Sequence, residues 1–228
     1  MPFSPYVNPG RYAFERATDY SPPGNSDNRT CVKERSNGNR YTDLAPSAAN
    51  GYFNYYTGNS ACNPQATILP LSADKQDLRQ RINEMQPQGM TAGHLGTQWT
   101  WYTLSPNFSS LWPLSSEPKP YSMLTQQNDH NQQLLRKIAV LITDGEYNKK
   151  YSGSSSATQA REICSNMKAA GIEVYTVGFE ISEGGEADET MEECASSEDH
   201  YYHAGDGDTL RAAFRDIALK IATLRLVQ

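Results

Sequence analysis

The run Lys137-Ile138-Ala139-Val140-Leu141-Ile142-Thr143 ends abruptly in Asp144-Gly145-Glu146-Tyr147-Asn148. A short apolar stretch bounded by turn residues has the length of a strand, and its lack of polar alternation suits a parallel strand covered on both faces. Open parallel sheets bind ligands in the crevice beyond the carboxyl ends of their strands. The run therefore predicts a buried strand that delivers Asp144 to the functional edge of an α/β sheet.

The pattern stays regular from there to the C-terminus. A Ser-rich loop leads to a helix over about 157–170, with Ala160, Ile163, Cys164 and Met167 on one face. Ser156-Ala157-Thr158-Gln159 reads as its capping box and Gly171 as its stop. A strand over 172–179, an acidic loop, a strand over 201–204 and a final helix follow. Asp208 or Thr209 caps that helix, whose Leu210, Phe214, Ile217, Ile221 and Leu224 recur at steps of three and four. Strands alternating with helices imply parallel strands joined by crossovers.

Upstream, Leu78, Ile82 and Met85 mark a helix closed by Pro87, and Leu95, Trp99 and Tyr102 mark another ended by Ser105-Pro106. The stretches at about 8–66 and 105–133 are rich in Pro, Gly, Asn, Ser and Tyr without a period, and read as irregular surface insertions. Long loops inside a domain are usually functional or stapled.

A chain of 228 residues suits a single domain. Its formal charge of −6 has no basic block, which argues against nucleic acid and anionic lipid as main partners. No apolar run approaches the ~18–20 residues needed to span a bilayer, so no direct membrane insertion by this segment is expected. Cys31, Cys62, Cys164 and Cys194 contain no CxxC pair and suggest disulfides; sequence order favours Cys31 with Cys62 and Cys164 with Cys194, with all three pairings open. His94, His130, His200 and His203 are too scattered for a zinc signature and read as surface histidines. Asp206-Gly207-Asp208 lacks the ligand series of a calcium loop, and no GxSxG or Walker A motif occurs.

Ala139 to Glu146, preceded by Gly89-Met90-Thr91 and followed by Met167 to Phe179, resembles a von Willebrand factor A domain. More narrowly, Pro2 to Asn8, Leu104-Ser105-Pro106, Cys194 to Ser197 and the ending from Phe214 to Leu226 resemble the TadG-like proteins of tight-adherence (Flp) pilus assembly. The resemblance implies a Rossmann-like doubly wound sheet outside the cytoplasm, on the periplasmic side of the cell envelope, with a membrane anchor upstream. It implies a non-enzymatic module whose partners are pilus or cell-envelope proteins.

The resemblance also implies a metal-ion-dependent adhesion site for Mg2+, built from an Asp-x-Ser-x-Ser loop, a threonine and a second aspartate. Thr91 matches the threonine and Asp144 the second aspartate, while Asp-x-Ser-x-Ser is absent; Ser152-Gly153-Ser154-Ser155-Ser156 lacks the aspartate. Two oxygens cannot define the geometry Mg2+ requires, so weak or no metal binding is expected. Aligned with the family, the chain lacks the first strand and helix and is expected to be a single incomplete domain truncated at its N-terminus. The other function class is a hydrolase using Asp144 and Glu146 at the strand edge, which the diverging directions of nearby loop positions disfavour.

Overall fold

The computed structural model describes residues 7–21, 30–35, 38–56, 66–85 and 90–222. Three parallel strands make its central sheet: β3 (Ile138–Thr143), β4 (Glu173–Phe179) and β5 (Tyr201–Ala204), in the order β3-β4-β5. The crossovers are α4 (Ser156–Ala169) and α5 (Glu186–Cys194), and α6 (Gly207–Ala222) follows β5. Register runs straight, Ala139 beside Val174 and Thr143 beside Gly178, with Gly178 in turn beside His203.

Alternation along the strands sorts their side chains onto two faces. Ala139, Leu141 and Val174 join Ala160, Ile163, Met167, Ala187 and Met191 in one core under α4 and α5. Tyr175, Val177 and Ala204 pack with Ala213 and Ile217 of α6 in a second. Helices on both faces make the fold doubly wound, a mixed α/β fold with a central parallel sheet. Coverage of the second face is nevertheless incomplete. Val140 and Ile142, beside Tyr175 and Val177, are 36% and 52% exposed because α6 lies over β4 and β5. β3, apolar up to Thr143, is thus fully covered on one face only, with Ile138 alone partly buried on the other.

Helix boundaries follow local chemistry. Ser155, one residue before the expected box, caps α4: its Oγ accepts Thr158 N–H at 3.1 Å. Gly171 stops α4 as expected, at φ +82°, with Ile172 N–H returning to Met167 O at 3.1 Å. Asp206, not Asp208 or Thr209, caps α6, taking the N–H groups of both at 3.0 and 2.8 Å. Within α6, Ala213 and Ile217 are buried whereas Phe214 is 43% exposed, and Leu224 lies outside the described residues.

The acidic loop expected between β4 and β5 contains α5. Its Ala187, Met191 and Cys194 are buried at steps of four and three, and Glu186, Asp188 and Glu189 fill the first turn, where acids complement the helix dipole. Cys194 bonds to Cys164, tying α5 to α4 across 30 residues. The other suggested pairing involves Cys62, which lies outside the described residues.

The two stretches read as irregular insertions contribute to the core. The first contains α1 (Arg11–Thr18), which buries Ala13, Phe14 and Ala17, and an antiparallel ribbon of β1 (Val32–Arg35) and β2 (Phe53–Tyr55). Arg35 is fully buried, its guanidinium donating to Leu44 O, Asn50 O and Gly51 O at 2.7–2.8 Å. The second contributes Phe108, Leu111 and Trp112 from short 3-10 turns; Phe108 stacks on Tyr102 at 3.8 Å, and Phe53 meets both edge-on. Between the insertions lie α2 (Lys75–Glu84) and α3 (Gly93–Leu104). α3 buries Leu95, Trp99 and Tyr102 as its spacing implies, whereas α2 buries nothing and leaves Leu78 and Ile82 41% and 63% exposed.

Candidate functional site

Asp144 follows β3 directly and is exposed at the carboxyl edge of the sheet. Its turn is held from within: Thr143 Oγ1 donates to Gly145 O at 2.8 Å, and Asn148 N–H donates to Glu146 O at 2.8 Å. Thr91 comes from a different segment, just before α3, and two bonds seat it against this turn. Thr91 N–H donates to Asn148 Oδ1 at 2.8 Å, and Lys149 N–H donates to Thr91 O at 3.1 Å. A β-carbon built on Gly145 would lie 3.9 Å from Thr91 Oγ1. The structure therefore brings the Thr91 segment and the Asp144 turn together on one rim. Gly89, which precedes Thr91, lies outside the described residues.

Gly93 and Tyr147 lock this junction. A β-carbon on Gly93 would fall 2.0–2.5 Å from three atoms of the Tyr147 ring, so only glycine lets the ring lie on the start of α3. Tyr147 is 5% exposed and its hydroxyl reaches Met191 Sδ at 3.4 Å; burial pushes that hydroxyl up to about 12. The glycine is legible in the sequence as a turn signal, but its partner is not. Ala92 is the N-cap of α3 and supplies no side-chain bond, so the Thr91 hydroxyl does not cap the helix.

Glu146 has other work. Its Oε2 accepts Ala187 N–H at 3.1 Å, in the first turn of α5. A cluster around His203, expected at the surface, joins β5 to α5: Asp188 Oδ1 accepts from His203 Nδ1 at 3.0 Å and from the Tyr201 hydroxyl, while Gly184 N–H donates to Oδ2 at 2.9 Å. Burial opposes ionisation of Asp188, but these donors outweigh it and hold the carboxyl below its ordinary range.

His94, expected at the surface, is 1% exposed. Its Nε2 meets Glu34 Oε1 at 2.8 Å and its Nδ1 meets Ser156 Oγ at 2.7 Å. A polar side chain satisfied this completely can be buried, and a sequence carries no periodic trace of that. Carboxylate, imidazole and hydroxyl stand in the order of a hydrolase triad, yet Ser156 is 2% exposed and offers no nucleophile to a substrate.

The rim as described does not fit a complete metal site. Thr91 and Asp144 offer two side-chain oxygens against the near-octahedral shell that Mg2+ demands. Among the described residues, no group of three or more His, Cys, Asp or Glu side chains is placed to hold a metal ion. Among them also, no helix is long and apolar enough to cross a membrane.

No curated protein matches the chain in sequence. Among solved structures, the pilus adhesin SpaC from Lactobacillus rhamnosus GG is similar at a TM-score of 0.44 and 14% identity, over 65% of this chain and 21% of that one. The chain thus spans about a fifth of that adhesin's length. Residues 121–216 match the family model of the von Willebrand factor type A domain. The parallel sheet, its crossover helices α4 and α5 and the Asp144 turn all lie within that matched span, and the sheet with helices on its two faces matches a von Willebrand A-like Rossmann fold.

Proposed function

We propose that the chain is a non-enzymatic binding module of a tight-adherence (Flp) pilus apparatus, TadG-like in character and placed on the extracytoplasmic side of the cell envelope. It engages a pilus or envelope protein through the rim formed by Thr91 and Asp144. The observation that carries this reading is the seating of the Thr91 segment against the Asp144 turn by Asn148 and Lys149. An exposed Asp144 and a half-buried Thr91 on one rim suit polar recognition of a partner, with any divalent ion completed by oxygens from outside these two segments. The hydrolase reading loses its carboxylate pair, because Glu146 is engaged at the start of α5.

Binding to purified pilus and envelope components, measured with and without chelator, tests the proposal. Chelator-sensitive binding that Thr91→Ala and Asp144→Asn each abolish supports it. Binding unchanged in both variants, or turnover that survives chelation, overturns it. In calorimetry, the chain alone is expected to take up Mg2+ or Mn2+ weakly, and tight stoichiometric uptake would contradict the incomplete shell.

A further inference from the structure

Glu34 reaches the underside of the rim from the β1–β2 ribbon, a part of the chain remote from the sheet. Its side chain is 1% exposed, and its Oε1 accepts two bonds, from His94 Nε2 and from Tyr151 N–H, both at 2.8 Å. Tyr151 lies on the loop that begins at Asp144 and is two residues beyond Lys149, which bonds to Thr91. His94 lies three residues beyond Thr91, in the first turn of α3, and passes the connection to Ser156 at the start of α4. A single buried oxygen therefore holds the backbone of one rim segment and a side chain of the other.

The ribbon is anchored well enough to act as a fixed point. Arg35, next to Glu34, is spent on three backbone carbonyls, and Asn54 Nδ2 donates to Glu34 O at 2.8 Å. Farther along, Arg40 Nη2 donates to Ser152 Oγ at 3.1 Å, and Asn166 of α4 donates to Tyr41 O at 3.0 Å. Side chains presented from two separate segments recognise a partner only if their spacing is held within about 0.5 Å by a supporting layer.

We propose that Glu34 is the positioning residue of the rim, registering the Thr91 segment against the Asp144 loop, and that the ribbon is the clamp that delivers it. The proposal rests on the reading that these two segments form the binding rim. Removing the acceptor takes from the Tyr151 N–H and from a buried His94 nitrogen the bond that each makes to Glu34, which frees the loop locally. A merely cohesive role would instead loosen the whole sheet.

Amide hydrogen exchange on the full chain separates the two. Glu34→Ala is expected to accelerate exchange at Thr91, Lys149 and Tyr151 by about tenfold or more and to leave Val174 to Val177 of β4 as in the wild type. Glu34→Gln, whose amide oxygen can accept both bonds, should restore protection. Glu34→Asp keeps the charge but withdraws the acceptor by one methylene, and should reproduce the local loss in a chain that folds if the alanine variant does not. Acceleration spread equally over rim and β4, or unchanged exchange at Thr91 and Lys149 in the aspartate variant, overturns the proposal. Asp144→Asn serves as the control: it bears on partner binding and should leave these amides protected, so failure of the rim as a binding site is distinguishable from failure of the clamp.

Discussion

At the scale of single residues, the rim depends on one missing β-carbon and one buried charge. Gly93→Ala would drive a methyl into the Tyr147 ring, which has no room to retreat toward Met191. Chemical denaturation should show a loss of about 1–3 kcal/mol, the usual range for overpacking, with part of it recovered in Gly93→Ala/Tyr147→Leu. Glu34 gives a pH dependence. Burial alone would raise its carboxyl, but the bonds from His94 and Tyr151 N–H prevail and hold it below its ordinary value of 4.5. Because the folded-state value is depressed, ionised Glu34 stabilises the fold above about pH 4.5, and that contribution is lost as pH falls through the folded-state value. Urea unfolding followed downward from neutral pH should show this acid-side decline in the wild type and a flatter profile in Glu34→Gln. A histidine and a glutamate 60 positions apart are one unit here, which no local pattern reveals.

At the scale of elements, exposure decides what a substitution does. α2 is capped by Asp74, whose Oδ1 accepts Gln76 N–H at 2.7 Å, yet it buries nothing. Ile82→Lys is therefore expected to change stability by at most about 0.5 kcal/mol. Ile163→Ala, in the fully packed face of α4, should cost about 2–5 kcal/mol in the same assay. Elements with clean periods and terminal signals were legible: β3, α4 with its Gly171 stop, β4, β5 and α6 stand where alternation and spacing put them. α5 is hidden in the sequence because glutamates surround its three buried apolar residues, although the spacing of Ala187, Met191 and Cys194 carries the signal. α1 and the aromatic layer of Phe53, Phe108 and Trp112 left less to read, since apolar side chains on short or irregular backbone bury themselves without repeating. For the rim, Thr91 and Asp144 were visible as motif positions, whereas Tyr147 and Glu34 were not, because their partners are distant in the chain.

At the scale of the whole molecule, the sheet ends, among the described residues, in a strand with one largely bare face. Val140 and Ile142 turn outward on β3, which among the described residues pairs only with β4. An apolar edge of this kind templates pairing with a second copy. Sedimentation velocity should show association that grows with concentration, and Ile142→Lys should shift the chain toward monomer; a sharp wild-type monomer at high concentration would contradict this. The Cys164–Cys194 bond has a mechanical consequence. All of β4 lies inside the covalent ring that it closes. A chain drawn out from its two ends can therefore surrender its outer layers but cannot spool out its central strand, and roughly 100 Å of contour stays hidden until the sulfurs are reduced. Pulled in single-molecule traces, the oxidised protein should come up short by that length against a Cys164→Ser/Cys194→Ser variant, a built-in limit on stretch.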